Sequence, residues 1–341
     1  LKPACAVLDT SPLIEPVLFD LSAWAARYYH HPPGEVIQAA FPQKLRKGGA
    51  AAELGEPHWV LTTEGLGLPE GALKRSARQA AALALLQSAD ATAETALLEA
   101  GISKAVLRSM RDKGLVERQF RLADPVPATT NRGLALNQAQ QSVLEPLTSA
   151  MGSFSVHLLE GVTGSGKTEV YLQWIAVALA QGLQALVLIP EIGLTPQTVA
   201  RFEKRFNATI VVLHSGVTPT ERLTAWQTAA SGRASIVIGT RSAVFTPLPA
   251  LGLVIVDEEH DGSYKQQDGF RYNARDVAIK RAQLTSIPIL LGSATPALET
   301  LHNAMCGRYS HHQLPARAGD AILPSIQTID LRKQPLQAGL S

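Results

Sequence analysis

The sequence predicts a doubly wound α/β fold, a mostly parallel sheet covered by helices, with smaller helical segments ahead of it. Between residues 156 and 291, short apolar runs alternate with amphipathic helical stretches, the order typical of βα units. The apolar runs are continuous rather than alternating, which indicates parallel strands buried on both faces. A glycine-rich loop also joins the first run to the next helix, and doubly wound sheets bind their ligands at such strand ends.

At 341 residues the chain exceeds one typical domain, and its pattern divides it into five parts. Residues 1–56 are predicted to be two helices within Pro16–Ala40, broken at Pro32–Gly34 and followed by a linker. Residues 57–124 form a second unit, and residues 125–135 a second linker. The main α/β domain is predicted to span residues 136–310. Residues 311–341 are predicted to begin a connection to a further domain.

The second unit has the outline of a winged helix-turn-helix. A strand-like run at Trp59–Thr62 is followed by helical stretches at 76–87, 92–99 and 103–113, and then by a further strand. Arg108 and Arg111 lie on the third, recognition-type helix. We expect this helix to contact DNA, with a domain that makes only protein contacts as the alternative.

In the main domain, six strands and five helices are predicted. The strands are Val156–Leu159, Ala185–Ile189, Ile210–Leu213, Ile236–Ile238, Leu253–Val256 and Ile289–Leu291. The helices are Thr168–Ala180, Pro196–Phe206, Thr220–Ala230, Ala274–Gln283 and Ala297–Ala304. This is the element order of a doubly wound domain.

Composition excludes several classes of protein. The net charge of +2 excludes a basic tail that coats nucleic acid, so any DNA surface must be a local patch. The 2 cysteines, Cys5 and Cys306, are far apart, which excludes a disulfide framework and a cysteine-based zinc site. No apolar run is long enough to predict a transmembrane helix. Both ends lack closing elements, and we expect a fragment of a longer cytoplasmic protein.

The strongest motif is Gly161-Val162-Thr163-Gly164-Ser165-Gly166-Lys167-Thr168, a complete G-x-x-x-x-G-K-[ST] phosphate-binding loop. It follows a predicted strand and opens a predicted helix, the context that the chemistry requires. Glycines let backbone N–H groups curl around phosphates at a helix N-terminus. Lys167 is predicted to reach the β- and γ-phosphates and the Thr168 hydroxyl to ligate Mg²⁺.

A second motif, Asp257-Glu258-Glu259-His260, ends the strand Leu253–Val256. A carboxylate at this strand end supplies the second Mg²⁺ ligand in such folds, so Asp257 is assigned that role. Glu258 is predicted to polarise the attacking water as general base. The two motifs together indicate ATP hydrolysis.

Three further segments lie at predicted strand ends and are rich in small and hydroxylated residues. They are Pro190–Thr195, Gly239–Ser242 and Gly292–Pro296. Such residues let a phosphodiester backbone approach closely, and its phosphate oxygens can accept hydrogen bonds from them. We therefore expect Thr195, Thr240 and Arg241 to contact DNA.

Taken in order, these motifs resemble the first, RecA-like P-loop lobe of a superfamily 2 helicase, and in detail the PriA family of primosomal replication-restart helicases. The resemblance extends over nearly the whole chain. The residues that carry it are the phosphate loop with Glu169–Tyr171, and Tyr28–Pro32, Val187–Gln197, His214–Gly216, Ile238–Ala243, Asp257–Asp276 and Gly292–Thr300.

The resemblance implies further roles. Gln140 lies where the family has its glutamine that reads adenine, and residues 1–56 resemble the end of a domain that binds the 3′ end of a DNA strand. His260, Ser293 and Thr295 are implied to couple nucleotide state to lobe motion. An aromatic-rich loop is implied to couple DNA binding to hydrolysis by stacking on bases and meeting phosphates. Its residues are Tyr264, Phe270, Arg271, Tyr272 and Arg275.

The sequence departs from the family pattern at several points. Asn273 stands where the family usually has His, and Ala139 where it often has Glu. The start of the 3′-end domain, the second motor lobe and the cysteine-rich zinc segment have no counterpart in this chain. Zinc is therefore expected for the full-length family but without ligands here.

The resemblance implies an ATP-dependent 3′-to-5′ DNA helicase that recognises stalled or branched forks and initiates primosome assembly. Implied cofactors are ATP and Mg²⁺. Implied partners are forked DNA with single-strand/duplex junctions, primosome proteins and single-strand DNA-binding protein, with a nucleoid-associated location and no membrane. Because the opposite wall of the nucleotide site is missing, we expect these residues alone to hydrolyse ATP barely.

Two alternatives remain at this point. One is a non-catalytic winged-helix DNA-binding adaptor, against which the presence of Lys167, Thr168, Asp257 and Glu258 argues. The other is a different superfamily 2 DNA translocase, against which the aromatic-rich loop and the Tyr-Tyr-His-His segment argue.

Overall fold

The computed structural model describes residues 12–48, 56–69, 71–73, 76–121, 128–131 and 133–318. Most of the predicted linker at 48–56 lies outside these residues. Part of the linker at 125–135 and most of the segment 311–341 lie outside them as well, together with Cys5. Within the described residues, no helix is long and apolar enough to cross a membrane.

Three N-terminal helices pack directly on the main α/β domain. They are α1 (Pro16–Tyr28), α2 (Pro33–Ala39) and α3 (Gln43–Arg46). Prolines open α1 and α2, where a missing N–H leaves no hydrogen bond unmade. Leu18, Leu21 and Ala25 are fully buried in the same apolar cluster as the strands of the main domain. These helices therefore share a core with that domain. The third helix was not predicted.

The second unit has an apolar core of its own. Its elements are β1 (Glu56–Leu61), α4 (Thr63–Leu66), α5 (Ala77–Gln87), β2 (Thr92–Ala93), α6 (Glu94–Glu99), α7 (Lys104–Asp112) and β3 (Val116–Arg121). The strands form an antiparallel sheet in the order β2-β1-β3, and Trp59, Leu97 and Leu107 are buried against it. The predicted outline of three helices followed by a strand is observed, with β1 pairing to β3 along its whole length.

The main domain is the predicted α/β fold. Its helices are α8 (Gln138–Ser149), α9 (Lys167–Ala180), α10 (Pro196–Arg205), α11 (Pro219–Ala230), α12 (Ala274–Thr285) and α13 (Leu298–Met305). Its strands are β4 (Thr129–Thr130), β5 (Ser155–Gly161), β6 (Gln184–Leu188), β7 (Phe206–Asn207), β8 (Ile210–Leu213), β9 (Ile236–Gly239), β10 (Leu251–Asp257), β11 (Pro288–Ser293) and β12 (Ser310–Leu314).

Seven of these strands form one parallel sheet in the order β12-β5-β11-β10-β6-β9-β8. In this sheet β5 pairs with β11, which pairs with β10. Because the strands are parallel, the loops after β5, β10 and β11 all leave at one edge. The sheet thereby brings together segments that are far apart in sequence.

Two boundaries differ from the predicted ones. The strand β12 pairs with β5, so the sheet continues to Leu314, beyond the boundary expected at residue 310. Leu314 is buried on the sheet, which gives a physical reason for this extension. Thr129–Thr130, inside the expected linker, forms the short antiparallel pair β4-β7.

A histidine pair joins β5 to β12. His157 is buried, its Nδ1 lies 3.0 Å from His312 Nε2, and its Nε2 lies 2.9 Å from Ser155 Oγ. Burial lowers the pKa of His157 to about 4, and the neighbouring His312 contributes to this shift. The pair therefore favours neutral imidazoles.

We predict that this pair makes stability dependent on pH. The unfolded chain takes up a proton on His157 near its ordinary pKa of about 6.5, and the folded chain only near pH 4. The free energy of unfolding should fall as the pH is lowered through that window. Urea unfolding followed by circular dichroism at several pH values measures this effect. In His157→Gln, the free energy of unfolding should fall less with decreasing pH than it does in the parent. His302→Gln removes an exposed imidazole and is the control. An equal pH dependence in His157→Gln and the parent would contradict the prediction.

Candidate active site

The phosphate-binding loop lies between β5 and α9. Gly164 and Gly166 have φ angles of +83° and +85°, in the left-handed region that glycine adopts without steric cost. Gly166 directly precedes α9, so the loop closes onto the N-terminus of that helix. The free N–H groups and the helix dipole there favour a bound phosphate.

Lys167 connects this loop to the acidic strand end. Its side chain is buried, and Nζ donates a hydrogen bond to the carbonyl of Gly161 at 2.9 Å. The same nitrogen lies 3.6 Å from Glu258 Oε1. The ammonium group is thus held between the loop and the end of β10, where the predicted phosphates would lie.

Asp257 is the last residue of β10 and is held by two tyrosines. Its Oδ1 accepts a hydrogen bond from Tyr171 Oη at 2.9 Å, and its carbonyl accepts one from Tyr264 Oη at 2.6 Å. Burial raises the pKa of the Asp257 carboxyl, and repulsion from Glu258 raises it further. The hydrogen bond from Tyr171 and the charge of Lys167 act in the opposite direction. The carboxylate is therefore a desolvated group that a cation would stabilise.

Glu258 has a strained backbone. Its φ of +44° is unusual for a residue other than glycine, and such strain is concentrated at functional positions. This conformation turns the chain sharply after β10 and leaves the carboxylate partly exposed. The adjacent Asp257 and Glu258 carboxylates consequently line the same cleft.

The loop and the two carboxylates line one cleft of about 780 Å³, a size suited to a nucleotide. Basic residues of α10 that were not predicted also line it, namely Arg201, Lys204 and Arg205. Their spacing of three and four residues places them on one helical face, a signal present in the sequence. Arg205 is buried and lies 3.9 Å from Glu169 Oε1.

Gln140 occupies the start of α8 and contacts the phosphate-binding loop. It forms a capping box with Asn137, in which each side chain accepts a hydrogen bond from the other's backbone N–H. Its Nε2 donates to the carbonyl of Ser165 at 3.1 Å. The side chain that was expected to read adenine is therefore engaged with the loop, and its role toward adenine stays a prediction.

The three residues expected to couple nucleotide state to lobe motion meet in space. His260 Nδ1 lies 2.7 Å from Ser293 Oγ, and His260 Nε2 lies 3.3 Å from Thr295 Oγ1. His260 also approaches Glu258 Oε2 at 3.7 Å. This chain of contacts links the ends of β10 and β11 to the acidic pair.

Glu259 has a structural role that the sequence motifs did not predict. Its buried carboxylate accepts hydrogen bonds from Arg275 Nη1 at 3.0 Å, Thr300 Oγ1 at 2.8 Å and the Ala297 N–H at 2.7 Å. It therefore ties the acidic segment to the starts of α12 and α13. The only sequence signal was a third acidic position in an already acidic turn.

The aromatic-rich loop folds onto the main domain. Phe270 and Tyr272 are buried, stack on each other at 4.8 Å between centroids, and pack against Phe245. Burial of their apolar area in the shared core stabilises this arrangement. The stacking of these rings on DNA bases stays a prediction.

The other residues of this loop differ in their contacts. Arg275 pairs with Glu259 and Asp276 at 3.0 Å each, and its contact with DNA phosphates stays a prediction. Arg271 is exposed. Tyr264 is buried and donates to the carbonyls of Leu188 and Asp257.

The remaining residues expected to contact DNA lie at the same sheet edge. Thr195 caps α10 by accepting a hydrogen bond from the Thr198 N–H, and Thr240 is buried at the end of β9. Arg241 Nη1 donates to the Ser263 carbonyl at 3.1 Å. Their contacts to DNA stay predictions.

The parallel sheet, the phosphate-binding loop and the paired carboxylates define a helicase-type nucleotide-binding lobe. Residues 137–304 match the family model described as DEAD/DEAH box helicase. Residues 1–42 match the model of the 3′DNA-binding domain of PriA. The chain belongs to the PriA family of replication restart proteins.

The chain is similar to several known proteins. The replication restart protein PriA of Haemophilus influenzae is 47% identical over 100% of this chain and 48% of its own length. The protein of the same name from Bacillus subtilis is 38% identical over 78% of this chain and 34% of its own length. The Pyrococcus furiosus Hef helicase domain has 20% identity and a TM-score of 0.41 over 53% of this chain and 38% of that one. The chain thus spans about half the length of its curated relatives, or less.

We predict that Gly292→Ala weakens nucleotide binding through Tyr171. A Cβ at residue 292 would collide with the Tyr171 hydroxyl, which holds Asp257. Displacement of that carboxylate should lower the affinity for a fluorescent ATP analogue with Mg²⁺ roughly tenfold, or about 1.4 kcal/mol.

The matched control is Gly262→Ala, because a Cβ there has no atom within 4 Å. The single variant Tyr171→Phe removes the hydrogen bond to Asp257 without adding a Cβ, and therefore separates the loss of that bond from the clash. Parent-like affinity in Gly292→Ala, with an unchanged melting temperature, would refute the proposed clash.

Proposed function

We propose that this chain supplies the first motor lobe and adjoining DNA-binding elements of an ATP-dependent 3′-to-5′ DNA helicase. In this proposal the whole protein recognises stalled or branched replication forks and initiates primosome assembly. The observation that carries the proposal is the placement of Lys167 between the phosphate-binding loop and Glu258. The similarity to relatives named replication restart protein PriA supports the biological role.

The residues present fit an ATP–Mg²⁺ complex. Backbone N–H groups of the loop and the start of α9 would hold the phosphates, and Lys167 would neutralise their charge. Thr168 and Asp257 both line the cleft and offer the hard oxygen atoms that Mg²⁺ prefers. When bound, the ion would supply charge stabilisation for the transferred phosphoryl group.

Glu258 is the proposed general base. Its carboxylate lies at the mouth of the cleft, 3.6 Å from Lys167 Nζ and 3.7 Å from His260 Nδ1. From there it can orient a water molecule for attack and accept its proton. Because His260 also contacts Ser293 and Thr295, a change at Glu258 can reach the end of β11. We propose that this is the route by which nucleotide state affects lobe motion.

The partners follow from the same assignment. The match of residues 1–42 to a 3′DNA-binding domain supports contact with a DNA strand. Primosome proteins, single-strand DNA-binding protein and a cytoplasmic, nucleoid-associated location are proposed from the family role alone. Zinc would belong to other parts of the full-length protein. Among the described residues, no group of three or more histidine, cysteine or acidic side chains could hold a metal ion.

We predict that Lys167→Ala in the full-length protein lowers ATP turnover at least about a hundredfold, because it removes a charge that acts on the transferred phosphate. Binding to a labelled forked DNA should change little, since Lys167 lies in the nucleotide cleft. Phosphate release and fluorescence anisotropy measure the two properties. Lys280→Ala, at a residue that does not line the cleft, is the control.

The proposal has two distinct ways to fail. Retained turnover in Lys167→Ala would rule out the assigned nucleotide site. Loss of fork binding together with turnover would instead show that motor and DNA-recognition elements are not separable.

A further inference from the structure

A crevice of about 490 Å³ separates the N-terminal helices from the motor lobe. One wall comes from the segment around α2 and α3, including Gln43 and Arg46, and the other from residues such as Ser215, Arg222, Thr240 and Arg241. Two contacts fix the walls to each other. Lys44 Nζ donates to Thr220 Oγ1 at 2.8 Å, and Trp226 Nε1 donates to the carbonyl of Ala40 at 2.8 Å. The crevice is therefore a built feature of the fold.

Three arginines converge on this crevice. Among the described residues, none has a carboxylate oxygen within 4.0 Å of the guanidinium nitrogens of Arg46, Arg222 or Arg241. Arg222 is held by a hydrogen bond to the His214 carbonyl, and Arg241 by one to the Ser263 carbonyl. A guanidinium group carries five N–H donors, so most donors of both side chains remain available.

This arrangement has an electrostatic cost. Burial lowers the pKa of Arg222, and the positive charge of Arg46 lowers it further. Glu191 and Asp268 also line the crevice, yet neither forms an ion pair within the described part of the chain. Excess positive charge in a narrow crevice focuses the field and favours an anionic ligand.

We propose that this crevice binds a backbone phosphate of a DNA strand between Arg46 on α3 and Arg222 on α11. The strand would continue past Thr240 and Arg241, which line the same crevice. DNA is the occupant that fits best, because one wall belongs to the segment next to the matched 3′DNA-binding domain and the other to the helicase lobe. The inference rests on the proposed function, since it requires that the protein bind DNA. It adds two arginines outside every motif considered above.

The test is binding of a fluorescein-labelled single-stranded oligonucleotide to the intact protein over a range of salt concentrations. Arg46→Gln and Arg222→Gln should each weaken binding several-fold and flatten the slope of log affinity against log salt by about 0.7. The double variant should lose less binding free energy than the two single variants lose in sum, because both side chains would contact the same phosphate. Arg308→Gln, at an exposed arginine outside both the crevice and the residues expected to contact DNA, is the matched control.

The outcomes separate the two proposals. Absence of oligonucleotide binding by the parent protein would overturn the proposed function. Binding by the parent with both variants equal to Arg308→Gln would overturn only the crevice. Affinity for a fluorescent ATP analogue should be unchanged in all variants, and a melting temperature equal to the parent's rules out misfolding. Arg222→Lys, which keeps the charge, should retain the salt slope of the parent.

Discussion

The register of three neighbouring parallel strands is the constraint on which the site depends. Leu159 of β5 pairs with Gly292 of β11, and Gly292 pairs with Asp257 of β10. The phosphate-binding loop, the acidic pair and the Ser293–Thr295 segment therefore leave the sheet side by side. A shift of one residue in this register would turn the Asp257 side chain to the other face.

Gly292 shows how closely packing and chemistry are joined here. The Tyr171 hydroxyl lies where a Cβ of residue 292 would be, and only the absence of that atom lets the hydroxyl reach Asp257. Tyr171 lies on α9, the helix that follows the phosphate-binding loop, and thereby positions the Asp257 carboxylate at the end of β10. Glu259 also positions the acidic segment, because its buried carboxylate joins that segment to α12 and α13.

The N-terminal helices are part of the same body as the motor lobe. Leu18 and Leu21 are buried with the strands, and Trp226 donates to the backbone of Ala40. Residues 12–42, the described part of the segment that matches a DNA-binding domain, thus pack directly on the lobe. The second unit differs, since its described residues form an apolar cluster of their own around Trp59. The crevice that we propose as a DNA site therefore has two walls that do not have to assemble on binding.

Much of this protein was determined by the sequence alone, because the relevant signals are local. Continuous apolar runs predicted the buried parallel strands, and the glycines before Lys167 predicted a loop that ends on a helix N-terminus. Tertiary structure decided what depends on distant residues. Only the tertiary structure places Phe270 against Tyr29 and Tyr272 against Phe245. Leu314 extended the sheet, and the convergence of Arg46 with Arg222 joins residues that no local pattern relates. Backbone conformation follows from neighbouring residues, whereas burial and charge clustering follow from which surfaces meet.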